Sequence, residues 1–366
     1  MSHNKVINWG ILGTGKSAHN FAQSFKFVKY GRLVAVGSRD KNKANKFAKE
    51  FNLPFSFSSY SRLASNSEVD IVYVATPNSC HKDNALLCLN SGKSVLIEKP
   101  FAVNSEEVKI LTDTAKNNNL FIMEAIWTRF IPAFDKVEQL IRRGEIGKIV
   151  SFNASLGQSS IVNKNNNLFN NLMGGGSLLD LGIYPIFWSE FIFNSSSSVQ
   201  SVLHYGDTDV DLTSSIIINY SKGRQSVISS SIITRFTNNG FIYGTDGMVE
   251  IHQPLYCPTA ISVVKYKKNH SLKNKALFFD KIRNLLFFKN LYANFPLLGQ
   301  FVLRSTIKKT FYFPIKGNGI NYMVNEVSKY LTSNKDNKDN KIIPLSTTMS
   351  ISKIISKAKL GRKNTY

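Results

Sequence analysis

The chain opens with apolar runs separated by helical patterns. "KVINWGILGTGKSAHNFAQSF" is an apolar run, a glycine turn and an amphipathic segment, and "RLVAVGSRD" is a second run followed by the helical "KNKANKFAKEF". The same rhythm continues through "VDIVYVATP", a helix over "HKDNALLCLNSG", "SVLIEKP", a helix over "SEEVKILTDTAKNNN" and "LFIMEAIW". Strands alternating with helices in this way predict a parallel sheet with helices on both faces. The runs "IVYV" and "SVLI" have no polar alternation, as expected of strands buried on both sides.

After "RFIPAFDKVEQLIRRGEIG" the pattern changes. "KIVSFNASLG", "VQSVLHYG", "DLTSSIIINYS", "RQSVISSSIIT", "GFIYGTDGMVEIHQ" and "ISVVKYKK" are β-rich, several with period-two alternation, and one helix over about 175–193 interrupts them. This predicts an α+β domain with a largely antiparallel, open sheet. The fold class is therefore α/β, a doubly wound Rossmann sheet over 1–125 followed by an α+β domain over 126–366. "INYMVNEVSKYL" and "STTMSISKIISKAKL" read as helices near the end, separated by a Lys/Asn/Asp-rich loop over 333–341.

With 366 residues and 43% hydrophobic content, the chain is long enough for two cores. No uninterrupted apolar stretch reaches the length of a membrane span. The N-terminus reads as a first strand and not as a signal peptide. Cys80, Cys88 and Cys257 are odd in number and lack CxxC spacing, so neither a disulfide framework nor a metal site is expected, and the setting is read as cytoplasmic. The formal charge of +22 raises the question of nucleic acid, but the chain has no nucleic-acid-binding motif. Compositional drift toward Lys, Asn, Ile, Phe and Tyr accounts for most of the charge. Part of it is local, since 255–313 carries eleven Lys/Arg against the single acid Asp280.

Three short motifs carry chemistry. Gly13-x-Gly15-x-x-Ala18, with Thr14 and Lys16 inside the turn, follows a strand and opens a helix. Glycines there permit a tight turn, and the helix N-terminus offers N–H donors to a pyrophosphate. At the end of the second strand an NAD site wants a carboxylate for the ribose. This chain has Ser38 and Arg39, a hydroxyl and a cation suited to a 2′-phosphate, so NADP is preferred over NAD. Asp40 stands just beyond and blurs that preference, and a solvated turn is the competing reading of Arg39. Glu98-Lys99-Pro100 lies at the carboxyl end of a buried strand, where ligands of open parallel sheets bind. Finally, "GGGSLLDLGIYP" runs glycines into a helix with Asp180 and Tyr184 four residues apart, on one face. Taken alone, the pair is equally readable as a buried acid and core filler.

In order along nearly the whole chain, "GILGTGKSA", "ATPNSCH", "VLIEKP", "MEAIWTRFIP", "GGGSLLDLGIYP" and "IIPLS" resemble the glucose–fructose oxidoreductase/inositol dehydrogenase (Gfo/Idh/MocA) family. The tyrosine at 184, where many relatives have histidine, resembles the branch of dihydrodiol dehydrogenases and NADP-dependent D-xylose dehydrogenases. The resemblance implies an NAD(P)-dependent oxidoreductase acting on a sugar, polyol or cyclic diol, with Lys99, Asp180 and Tyr184 catalytic. Lys99 would have to stabilise the Tyr184 phenolate. It also implies that Thr76, Pro77, Asn78 and Glu98 sit beside the cofactor, that Trp127 and Arg129 line the interdomain cleft, and that the chain forms a homo-oligomer through its open sheet. His81 matches the motif's final histidine but reads equally as a helix-start residue. Arg129 reads almost as readily as a partner for a carboxylate.

The segment around 255–313 matches no family motif. Its "FFDKIRNLLFFKNLY" reads as a basic amphipathic helix, suited to an anionic membrane surface or, more simply, to a surface elaboration. Competing functions are a dinucleotide-binding regulator without turnover and an NAD-recycling epimerase or hydrolase. Ser38 and Arg39 weigh against the latter.

Overall fold

The computed structural model describes residues 6–266, 306–333 and 342–365. The first half alternates β1 (Ile7–Leu12), α1 (Lys16–Ser24), β2 (Gly31–Gly37), α2 (Lys41–Glu50), β3 (Phe55–Phe57), α3 (Tyr60–Ala64), β4 (Ile71–Val74), α4 (His81–Asn90), β5 (Ser94–Ile97), α5 (Ser105–Asn117) and β6 (Ile122–Glu124). The six strands are parallel in the order β3-β2-β1-β4-β5-β6. Every residue of β4 and β5 is buried, which is why these runs carry no polar alternation. The chain order reverses between β1 and β4, so the ligand crevice of such a sheet opens above their carboxyl ends.

After α6 (Pro132–Arg142) come β7 (Ile149–Gly157), α7 (Ile183–Phe193), β8 (Ser198–Tyr205), β9 (Asp211–Asn219), β10 (Gln225–Ser231), β11 (Gly240–Gly244), β12 (Gly247–Ile251), β13 (Ala260–Tyr266) and β14 (Thr306–Tyr312). The chain closes with α8 (Ile320–Ser333), α9 (Leu345–Lys359) and β15 (Arg362–Thr365). The second sheet has nine strands in the order β14-β13-β12-β11-β7-β10-β9-β8-β15. Its pairs are antiparallel except β7 with β10 and β8 with β15. The sheet is thus mixed and mostly antiparallel, as the alternating patterns predict.

Two features differ from the linear division of the chain. Residues 260–266 and 306–312, read as part of a basic insertion, are two adjacent strands of the second sheet. The amphipathic segment within 267–305 lies outside the described residues. Helix α8, far along the second half, packs against the first sheet: Trp9 Nε1 donates to Ser328 Oγ at 3.0 Å, and Met323, Val324 and Val327 share a core with Trp9, Phe21 and Tyr73. Its amphipathic pattern requires a buried face but does not specify which surface covers it.

Met323 is 1% exposed. Met323→Ala is expected to lower the unfolding free energy by about 2–5 kcal/mol in a urea titration, the usual cost of emptying a packed methionine site. A loss below about 1 kcal/mol would mean that α8 is a loosely docked tail.

Candidate active site

A cleft of about 910 Å³ runs from the glycine turn after β1, across the carboxyl ends of β4 and β5, to the start of α7. Gly13 has φ +105°, and a Cβ there would lie 2.6 Å from the Ala75 carbonyl oxygen, so only glycine closes this turn. A Cβ at Gly15 would meet nothing within 4 Å, so the outer side of the turn is open. Gly15 is the N-cap of α1, which has no side-chain cap and no acid in its first turn. That leaves the helix's leading N–H groups and positive dipole end to an anion. Thr14 and Lys16 line the same end of the cleft.

Ser38, Arg39, Asp40, Lys43 and Tyr60 form its far wall. The Asp40 carboxylate is committed to its own helix, where Oδ1 accepts from Asn42 N at 2.9 Å and Lys43 N at 3.2 Å. Its Oδ2 stays on the cleft side, 4.0 Å from Lys43 Nζ. Burial raises the Tyr60 phenol's pKa, and the nearby Arg39 guanidinium opposes the rise.

Thr76, Pro77 and Asn78 follow β4 along the cleft floor, and Asn78 Nδ2 donates to the Gly174 carbonyl at 2.8 Å, tying the two halves together. His81 does not line the cleft. Fully buried, it sets Nδ1 2.7 Å from the Pro100 carbonyl and Nε2 2.9 Å from the Thr76 carbonyl, and burial depresses its pKa to about 4. A neutral imidazole donates to only one of these. His81 thus braces the turns that carry Thr76 and Lys99 from behind.

At the far end of the cleft Lys99 Nζ, 12% exposed, donates to both the carbonyl oxygen and Oδ1 of Asp180, each at 2.7 Å. Nζ also stands 5.2 Å from the centre of the Tyr184 ring. Burial works against the ammonium, but Asp180, Tyr184 and Glu98 together outweigh it and raise its pKa, so Lys99 stays charged. Glu98 accepts from the Tyr73 hydroxyl; burial pushes its carboxyl pKa up and the Lys99 charge restrains it. Tyr184, 6% exposed, is raised to about 12 by burial, against the pull of Lys99 and of the nearby Trp127 indole. Lys99 favours the phenolate, as expected, but does not prevail, because its ammonium is held by Asp180 and lies beside the ring.

Asp180 is in a π turn, Leu178–Gly182, and not in a regular helix as the spacing alone predicts. The cause lies one turn on. Pro185 has no N–H to give the Leu181 carbonyl, and its ring crowds that turn. The loosened ladder leaves the Asp180 carbonyl able to accept from Lys99. The preceding glycines are sterically required: Gly176 has φ +114°, and a Cβ there would sit 2.2 Å from Asp211 Oδ1. Asp211 in turn accepts from Ser177 Oγ and Leu178 N at 2.7 Å, anchoring the turn that carries Asp180.

Among the residues expected in the site, Arg129 is elsewhere. Its guanidinium pairs with Asp135 at 3.2 Å and Glu138 at 3.4 Å and covers the Phe134 ring, beside a separate surface recess. Two acids within reach on α6 explain this. Other residues join the cleft without having been singled out. Tyr256 packs 5.6 Å from Tyr184 and 5.9 Å from Trp127, centre to centre, and Lys43, Tyr60 and Tyr73 contribute from the first half. Gln158, Ser160, Asn166 and Asn167 supply polar groups on the second domain's side. Among the described residues no cluster of His, Cys, Asp and Glu could hold a metal, and no helix is long and apolar enough to cross a membrane.

A family model described as an oxidoreductase family with an NAD-binding Rossmann fold matches residues 7–125, and the Gfo/Idh/MocA C-terminal domain model matches 134–250. The chain is 35% identical over 264 residues to trans-1,2-dihydrobenzene-1,2-diol dehydrogenase of Xenopus tropicalis, covering 70% of this chain and 79% of that one. It is 32% identical over 262 residues to the Homo sapiens enzyme of the same name, covering 70% and 78%. Among solved structures, the 3-ketoreductase KijD10 of Actinomadura kijaniata, in complex with NADP and TDP-benzene, superposes with a TM-score of 0.79 at 19% identity, covering 99% of this chain and 100% of that one. Levoglucosan dehydrogenase, in complex with NADH and levoglucosan, gives 0.76 at 19%, covering 97% and 98%. The chain belongs to the Gfo/Idh/MocA family of NAD(P)-dependent oxidoreductases.

Proposed function

We propose that the protein is an NADP-preferring dehydrogenase that transfers a hydride between the nicotinamide and a hydroxyl-bearing carbon of a sugar, polyol or cyclic diol. The observation that carries the reading is Lys99 held by Asp180 at 2.7 Å beside the Tyr184 phenol, in one cleft with the glycine turn. The names of the relatives support the substrate class. So does the substrate end of the cleft, where the Trp127 and Tyr256 rings suit the C–H face of a ring and the amides of Gln158, Asn166 and Asn167 suit its hydroxyls.

When bound, the cofactor supplies hydride donation or acceptance at a nicotinamide carbon. Tyr184 handles the proton. In reduction its proton passes to the carbonyl oxygen, leaving the phenolate, as hydride reaches the carbon, and in oxidation the phenolate takes the hydroxyl proton as hydride leaves. Lys99 remains a cation throughout and offsets the negative charge on the phenolate. Asp180 fixes Lys99 through Oδ1 and the carbonyl, leaving Oδ2 for a substrate hydroxyl. Ser38, Arg39 and Lys43 support NADP because they offer a hydroxyl and two cations where the only nearby acid, Asp40, is capping α2. The three cysteines, all free, support a reducing, cytoplasmic setting.

We further propose that the chain pairs through the outer face of the second sheet. Val202, Ile217 and Val227 are exposed there at 36%, 38% and 40%, with Val227 directly opposite Ile217. Such an apolar strip calls for a cover.

Absorbance at 340 nm with D-xylose, D-glucose, inositol and a trans-dihydrodiol should show turnover with NADP. Tyr184→Phe should lower kcat/KM by about 10²–10⁴-fold. With the phenol near 12, the phenolate fraction grows about tenfold per pH unit, so oxidation should climb from pH 7 to 10 while reduction stays flat near neutrality. Undiminished turnover in Tyr184→Phe would remove the proton-transfer role. Arg39→Ala should weaken NADP binding by about 10- to 100-fold, the value of a charge-assisted contact, and leave NAD binding within about twofold. Equal losses for both would refute the 2′-phosphate reading. Light scattering should show a dimer or larger assembly for the native chain and a smaller mass for Ile217→Lys; an unchanged mass would place the interface elsewhere.

A further inference from the structure

Behind the turn that presents Lys99, a carboxyl group is buried with no ion pair among the described residues. Glu124, the last residue of β6, is 2% exposed. Its Oε1 accepts from Phe101 N at 2.9 Å, and its Oε2 has no hydrogen-bond partner among the described residues. Shortage of cations is not the reason, since the chain has 46 Lys and Arg against 24 Asp and Glu. On α9, Thr348 Oγ1 is also buried and makes no well-formed hydrogen bond among the described residues, yet it lies near enough to the Glu124 carboxyl to hold its pKa down. Both side chains line a cavity of about 10 Å³. The other walls matter as much. Pro100 and Phe101 continue directly from Lys99, while Leu179 and Ile183 flank Asp180 and Tyr184 in sequence. The cavity is therefore the reverse side of the centre, where the first sheet, the π turn with α7, and α9 meet.

We propose that Glu124 is a positioning residue that works as a neutral acid: it accepts from Phe101 N–H, donates its own O–H to Thr348 Oγ1, and so fixes the Lys99 turn against the helix carrying Asp180 and Tyr184. The proposal rests on the reading of those three residues as the reacting centre. A carboxylate in this place would be a buried charge with at most one backbone N–H and one hydroxyl to solvate it, which is unfavourable. The charged groups that weigh on it are Glu98, which disfavours its ionisation, and Lys99, which favours it. The α5, α7 and α9 residues around the cavity are apolar or hydroxyl-bearing. Burial, the largest influence, raises the carboxyl to about 7. Because this lies above the ordinary value near 4.5, the stabilisation is full below about pH 4.5 and is lost as pH rises through about 7.

Glu124→Gln keeps the shape, accepts through its carbonyl oxygen and donates through its amide at every pH. The ratio of kcat for Glu124→Gln to kcat for the native enzyme should be near one at pH 6 and rise above pH 7, by up to about tenfold per unit. The difference in Tm between the two proteins should widen over the same interval. Thr348→Val, nearly isosteric and outside the cleft, should lower kcat while leaving KM and NADPH affinity unchanged. If kcat and Tm of native and Glu124→Gln protein run parallel from pH 5 to 9, or if Thr348→Val has full kcat, the proposal is wrong. Should no substrate turn over, the proposed function fails by itself. The pH series of Tm then still decides the Glu124–Thr348 pair: widening supports it and a parallel course overturns it.

Discussion

One ammonium holds the site together. Lys99 extends from the end of a first-sheet strand and is accepted twice by a single residue of the second half, once on its backbone and once on its carboxylate. That contact ties the two halves of the chain together across the cleft. Its geometry depends in turn on a proline that breaks the helix ladder, on glycines that let the chain pass Asp211, and on His81 bracing the turn from below. Each of these looks local, but together they determine where one nitrogen atom points.

The same contact explains how protons are distributed. A buried lysine normally loses its charge, but here three neighbouring groups keep it. Since the ammonium is turned toward Asp180, Tyr184 remains a phenol that gives up its proton reluctantly. At neutral pH the tyrosine of this centre is thus protonated. Glu98 and Tyr73 form a second pair at the cleft floor, so the negative charge near Lys99 is spread over several groups.

Much of this is legible in the sequence where the information is local. The glycine turn, the strand end carrying Lys99 and the spacing of Asp180 and Tyr184 are short motifs in a periodic context, and most strands of both sheets follow from their alternation or its absence, though β3, β14 and β15 do not. What escapes is what depends on distant partners. Tyr256 lies in a stretch whose charge suggests an insertion, and only the β12–β13 connection brings it to Tyr184. Arg129 carries the right chemistry for a cleft, but two acids on the next helix hold it. The π turn is different in kind, because its cause, Pro185, stands in plain view within the motif. The four-residue spacing is a sound guide only where the ladder is intact. Helix α8 shows the limit most plainly, since an apolar stripe states that something must cover it and not what.

That helix has a consequence for how the protein comes into being. Trp9 and Ser328, joined by a hydrogen bond, are 319 positions apart. During synthesis the first sheet can assemble its strands early, yet the surface over Trp9 stays bare until α8 has been made. A contact between residues so far apart in sequence forms late in folding. A first sheet made without α8 thus carries an uncovered apolar surface, the kind through which partly folded chains aggregate.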